Sequence, residues 1–136
     1  MSTGKLILTY ALTTVVFFAV DMLWLGLIAK GIYNKHLGFL LADQVNWYAA
    51  IIFYLLFIAA IFVFVIFPAL EKQSLFHAML YGAMFGFITY ATYDLTNLAT
   101  VKNWPLNIVF IDMAWGTVLT AIVASAGYSI SKWLMN

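Results

Sequence analysis

Three aspartates interrupt stretches that are otherwise apolar: Asp21, Asp94 and Asp112. A carboxyl group at the centre of a membrane helix costs about 2.5–3.5 kcal/mol to insert, and less nearer the surface. Such groups are kept where they face inward and have partners. There they can relay a proton, act as general acid or base, or bind a cation. Asp94, Asp21 and Asp112 are therefore the candidate catalytic acid/base or proton-relay groups, with Asp94 the first choice. Their surroundings repeat. Asp21-Met-Leu-Trp24 and Asp112-Met-Ala-Trp115 each set a Trp at i+3, on the helical face of the acid. An indole N–H there can donate to a carboxylate while its ring walls a pocket. The run Tyr90-Ala-Thr-Tyr-Asp94-Leu-Thr-Asn97 puts Tyr90, Asp94 and Asn97 on one stripe, with Tyr93 beside it and Asn107 near the same level. Trp24, Tyr90, Tyr93, Asn97 and Trp115 are the candidate ligand-binding residues, Asn97 as the group that positions the ligand. The three acids and His36 match no recognised metal spacing, so no metal site is expected, and the residues specify no cofactor. His77 falls at the opposite level, near Glu71 and Lys72, with Tyr81 four residues on as a hydrogen-bond partner.

These groups must be held by apolar elements. The chain has 136 residues, 66% hydrophobic and 8% charged, far from the composition of a soluble domain. Its mean hydropathy of +1.03 is that of a chain whose solvent is mostly lipid. A net charge of +1 excludes a basic nucleic-acid footprint and a polybasic headgroup patch. The lack of Cys removes disulfides, thiolate metal sites and cysteine nucleophiles. Four continuous apolar runs, 6–29, 47–67, 75–99 and 106–131, are each long enough to cross a bilayer as helix. They lack the alternation of barrel strands. The first is too long for a signal peptide, carries Asp21, and is followed by no small-residue cleavage site, so it is expected to be a span. The expected fold is all-α and integral to the membrane: a four-transmembrane-helix bundle, one domain over 1–136.

The connectors add detail. Pro68 marks the end of span two, and Pro105 stands near the first turn of span four, where its missing N–H costs nothing. Between spans one and two, Leu37, Leu40 and Leu41 at i, i+3 and i+4 predict a short helix in the interface, with Asn34 available as a cap. Trp47, Tyr48, Trp104 and Trp133 fall at span ends, as an aromatic belt would. Four spans place both termini on one side, A, with the Glu71 connector; the long connector and Lys102 lie on side B. Three lysines fall on each side, so charge sets no orientation. Antiparallel threading gives the aspartates a common depth. They stand seven to nine residues from Lys30, Lys102 and Pro105, about 10–14 Å below side B at the helical rise. Small residues recur at Ala78, Gly82 and Gly86 and at Gly116, Thr120, Ala121 and Ser125, permitting close helix approach within the bundle or in a dimer. Span two has no ionisable residue and reads as the most lipid-exposed.

The segment Tyr93-Asp-Leu-Thr-Asn-Leu-Ala-Thr-Val-Lys-Asn-Trp-Pro-Leu106, followed by Asp112-Met-Ala-Trp-Gly116 and preceded by Asp21, Trp24 and Gly26, resembles the domain-of-unknown-function family 2177. The likeness spans nearly the whole chain. It implies small multi-pass proteins of the bacterial inner membrane and no particular activity. The residues favour binding or processing of a lipid or lipophilic small molecule in a pocket lined by Asp21, Asp94 and Asp112. Two alternatives stand beside it: a proton-coupled small-molecule transporter acting as a homodimer, and a non-catalytic membrane assembly protein. The residues leave open whether the chain is an enzyme. The partners expected are membrane lipids and a second copy, with no nucleic acid and no soluble protein.

Overall fold

The computed structural model describes residues 1–136, helical apart from short connections. Helix α1 (Thr3–Leu23) starts where the Ser2 side chain accepts the Lys5 N–H at 3.3 Å. It runs into a π-helical turn over Trp24–Ile28, closed by the Ala29 N–H on the Trp24 carbonyl at 2.7 Å. Helix α2 (Lys30–Leu37) follows. Asn46 caps α3 (Trp47–Ile61), which passes through a second π-helical turn, Phe62–Ile66, into α4 (Phe67–Lys72). Helix α5 (Leu75–Thr100) begins at Ser74, which accepts the His77 N–H at 3.0 Å. Helix α6 (Leu106–Met135) completes the chain. Four helical stretches are long and apolar enough to cross a membrane: Thr3–Ile28, Trp47–Lys72, Leu75–Thr100 and Leu106–Met135. The protein is an all-α, multi-pass membrane protein.

Three local expectations change. Pro68 does not end span two. The helix continues to Lys72, because the wide turn before Pro68 takes up the missing donor and the displaced carbonyl of Phe64. It stops at Gln73, whose left-handed backbone (φ 50, ψ 45) cannot continue a helix. The connector helix lies earlier than the leucine spacing predicts. Lys30–Leu37 is helical with Asn34 inside it, Leu37 is buried at its end, and Leu40 and Leu41 fall in the following turn. Span two is also not the most lipid-exposed. Its first half is mostly open and Val63 and Phe64 face outward beyond it, but Phe57, Ile58, Ile61, Phe62, Val65 and Ile66 form the core with Phe17, Leu119, Val123 and Ala124. The other helices bring small residues and threonines to the centre, so bulk must come from α3. Absence of charge does not separate lipid-facing from core positions when both surroundings are apolar.

The small-residue stripes are used inside the bundle. A Cβ on Gly82 would stand 2.7 Å from Ala124, and one on Gly86 would stand 2.1 Å from the Gly116 carbonyl oxygen. These glycines let α5 and α6 pack backbone to backbone. Helix α1 lies on the other side of α6. Helix α3 meets α1 and the core through its second half, and its first half diverges from α5.

Candidate functional site

The side-B half of the bundle holds a cavity of about 420 Å³. That lies in the range of small-molecule sites. Helix α1 and its π-helical turn supply Asp21 and Trp24, α2 supplies Tyr33, α3 supplies Tyr54, α5 supplies Tyr90 and Tyr93, and α6 supplies Asp112 and Trp115. Lys30 and Asn34 stand at its α2 margin, both exposed.

Two acids in this cavity carry two donor chains. Asp21, 6% exposed, accepts the Trp115 indole N–H on Oδ1 and the Tyr54 hydroxyl on Oδ2, each at 3.3 Å. Asp112 Oδ1 accepts the Tyr33 hydroxyl at 2.7 Å, and that hydroxyl in turn accepts the Trp24 N–H at 3.3 Å. The Trp24 and Trp115 rings join the chains by stacking, with centroids 4.5 Å apart and planes 7° from parallel. Each indole therefore serves the other side. The sequence pairs Trp24 with Asp21 and Trp115 with Asp112 along one helix. Face-to-face contact between α1 and α6 instead orients the rings so that Trp115 reaches Asp21 and Trp24 reaches Tyr33. Burial and the Asp112 charge raise the Tyr33 phenol well above its ordinary value, so it remains a proton donor at physiological pH.

Asp94 lies behind this arrangement. It is fully buried, and neither of its carboxyl oxygens has a hydrogen-bond partner. Tyr90 lies flat against α6 because position 116 is glycine: a Cβ there would come within 2.2 Å of the ring. Tyr93 packs edge-on against Trp104 at 5.8 Å.

A second cavity, about 460 Å³, opens between α3 and α5. Phe53, Phe57, Thr89, Tyr90, Tyr93 and Asp112 line it, so it adjoins the first along Phe53, Tyr90, Tyr93 and Asp112.

Of the residues singled out from sequence, Asp21, Asp112, Trp24, Trp115, Tyr90 and Tyr93 line the cavity together. Asp94 and Asn97 do not. Asp94 is covered by α6, and Asn97, half-buried, stands about 10 Å farther along α5 than Tyr90 at the helical rise. Asn107 is exposed. Tyr33 and Tyr54 were missed. The signal for Tyr54 is a lone hydroxyl inside an apolar span, which needs an acceptor; Tyr33 has no comparable mark. His77 stacks on Tyr81 at 4.0 Å, and His36 Nδ1 lies 2.9 Å from the Ile32 carbonyl. No three His, Asp or Glu side chains converge at metal-binding distance.

A family model described as predicted membrane protein, DUF2177, matches residues 6–129. The chain belongs to the DUF2177 family. The match takes in every cavity residue named above, the second and third membrane-crossing helices whole and most of the first and fourth. No curated protein and no solved structure matches the chain.

Proposed function

We propose that this DUF2177 protein binds, from within a bacterial inner membrane, a lipid or lipophilic small molecule whose polar end enters the cavity at Asp21 and Asp112. The observation that carries this reading is the cavity's construction. Two acids from different helices, held by indole and phenol donors, face an aromatic-walled space at one end of a membrane bundle. Binding sites have this form: an apolar lining with a few fixed polar groups. The apolar second cavity adjoins it on the side where α3 and α5 diverge, so the apolar part of such a ligand has a place. Asp94, buried behind the cavity without a hydrogen-bond partner, is the acid that processing would use.

The test is extraction of the molecules that copurify with the protein in neutral micelles, compared among wild type, Asp21→Asn and Asp112→Asn by mass spectrometry. A retained amphiphile that falls at least tenfold in both variants supports the reading. Unchanged retention with lowered thermal stability overturns it in favour of an assembly protein whose acids clamp helices.

A further inference from the structure

We infer that the ligand of this site is a single-chain amphiphile with a quaternary ammonium head, the head lying against Asp112, Tyr90 and the Trp24–Trp115 stack and the alkyl chain lying between α3 and α5. The inference rests on the ligand-binding reading and narrows it to a class.

The charge on the cavity wall comes first. Two carboxyl groups face the space, and the one basic side chain beside it, Lys30, is exposed at the margin. An anionic head meets repulsion there and a cation meets attraction, strengthened by the dry surroundings.

The aromatic lining decides between kinds of cation. Asp21 already accepts one bond on each oxygen, and Asp112 Oδ1 is taken by Tyr33. Trp115, Tyr33 and Tyr54 donate to these acids, and Trp24 donates to the Tyr33 hydroxyl. The two acids keep free lone pairs for a cation, whereas the indole and phenol donors beside them are engaged and Lys30 and Asn34 stand at the margin, so an anionic phosphate head is poorly served on the inner wall. What it has in plenty is negative charge and ring faces. A quaternary ammonium forms no N–H bonds, and it is bound through charge and through the negative faces of aromatic rings. Tyr90, held flat on Gly116, and the outer faces of the stacked indoles supply such surfaces.

The tail follows from the second cavity. Phe53, Phe57 and Thr89 make its wall, it meets the first cavity at Asp112, and Phe53 and Tyr93 are more than half exposed toward the surrounding lipid. A chain attached to a head at Asp112 can lie there without leaving an apolar environment.

The experiment uses the full chain in phosphatidylethanolamine vesicles, which carry no quaternary ammonium. Saturable binding of radiolabelled dodecyltrimethylammonium is measured over protein-free vesicles and competed with dodecanol, dodecyl sulfate and tetramethylammonium. The expected result is that dodecyltrimethylammonium binds at least tenfold more tightly than each competitor. Asp112→Asn is expected to lower its affinity about tenfold, and Thr89→Trp, which fills the α3–α5 cavity, to lower it similarly while leaving tetramethylammonium unaffected. Equal affinity for dodecanol overturns the ammonium class and leaves the lipophile reading standing. Equal affinity for tetramethylammonium overturns the tail placement. No saturable binding of any probe overturns the inference, while retention of a copurified amphiphile separately decides the reading beneath it.

Discussion

At the scale of single residues, the donors around Asp21 and Asp112 give the site its shape. Trp115→Phe keeps a ring beside Trp24 but removes the N–H that Asp21 receives, and Tyr54→Phe removes the other donor to the same carboxyl group. Leaving a buried polar group short of one partner costs about 1–3 kcal/mol. Each substitution is therefore expected to lower stability by about that amount. The pair is expected to cost more than the sum, because the last donor is lost from a nearly buried acid. Thermal unfolding in neutral micelles measures this, and losses below about 0.5 kcal/mol, the size of surface changes, would contradict it. Tyr33→Phe cuts the link from Trp24 to Asp112 and leaves the indole N–H without its acceptor. It is expected to weaken ligand retention more than stability, read by mass spectrometry alongside the melting curve, because Tyr33 sits on a connector helix outside the core.

At the scale of elements, the close approach of α5 to α6 positions Tyr90 and both α6 site residues. Gly86→Ala would press its new methyl into the Gly116 carbonyl oxygen, a backbone atom that moves only if the helices part. Overpacking of this kind costs about 1–3 kcal/mol or more. Gly26→Ala has open space around it and is expected to be neutral or stabilising, since Ala is the better helix former by about 1 kcal/mol. Comparison of the two unfolding curves checks the assignment; similar effects would contradict it. The shared depth of Asp21 and Asp112 was legible in the sequence, because antiparallel threading and a constant rise fix depth in a membrane bundle. The small-residue stripes were legible as contacts, though not as contacts within one chain. The crossing of the indoles was not legible. It depends on how two helices meet, which i, i+3 spacing within one helix does not report. The burial of span two was hidden for a different reason: Phe57 and Ile61 look the same whether lipid or protein surrounds them. The π-helical turn at Trp24–Ile28 left no mark in residue type, yet it carries the chain from Asp21 toward Tyr33.

At the scale of the whole molecule, four crossings put both termini and the Lys72 connector on one side, with α2 and Lys102 on the other. The chain has no Cys, so single cysteines at Ser2, Lys35, Lys72 and Lys102 can be labelled one at a time. An impermeant thiol reagent on oriented vesicles is expected to reach Ser2→Cys and Lys72→Cys from one side, and Lys35→Cys and Lys102→Cys from the other. Labelling of Ser2→Cys and Lys35→Cys from the same side would contradict the threading that gives the aspartates one depth. The bundle as a whole is divided in its packing. Its middle is closed by core packing around Phe17, Ile61 and Leu119, and its side-B half is held open around two acids by donors and stacked rings. Native mass spectrometry of the protein released from neutral micelles tests this division most directly. Wild type and Asp43→Asn, which alters an exposed acid away from the cavity, are expected to carry one bound amphiphile per chain, and Asp112→Asn to appear as the bare chain. A bare wild-type chain, or equal occupancy in Asp112→Asn, would contradict the account.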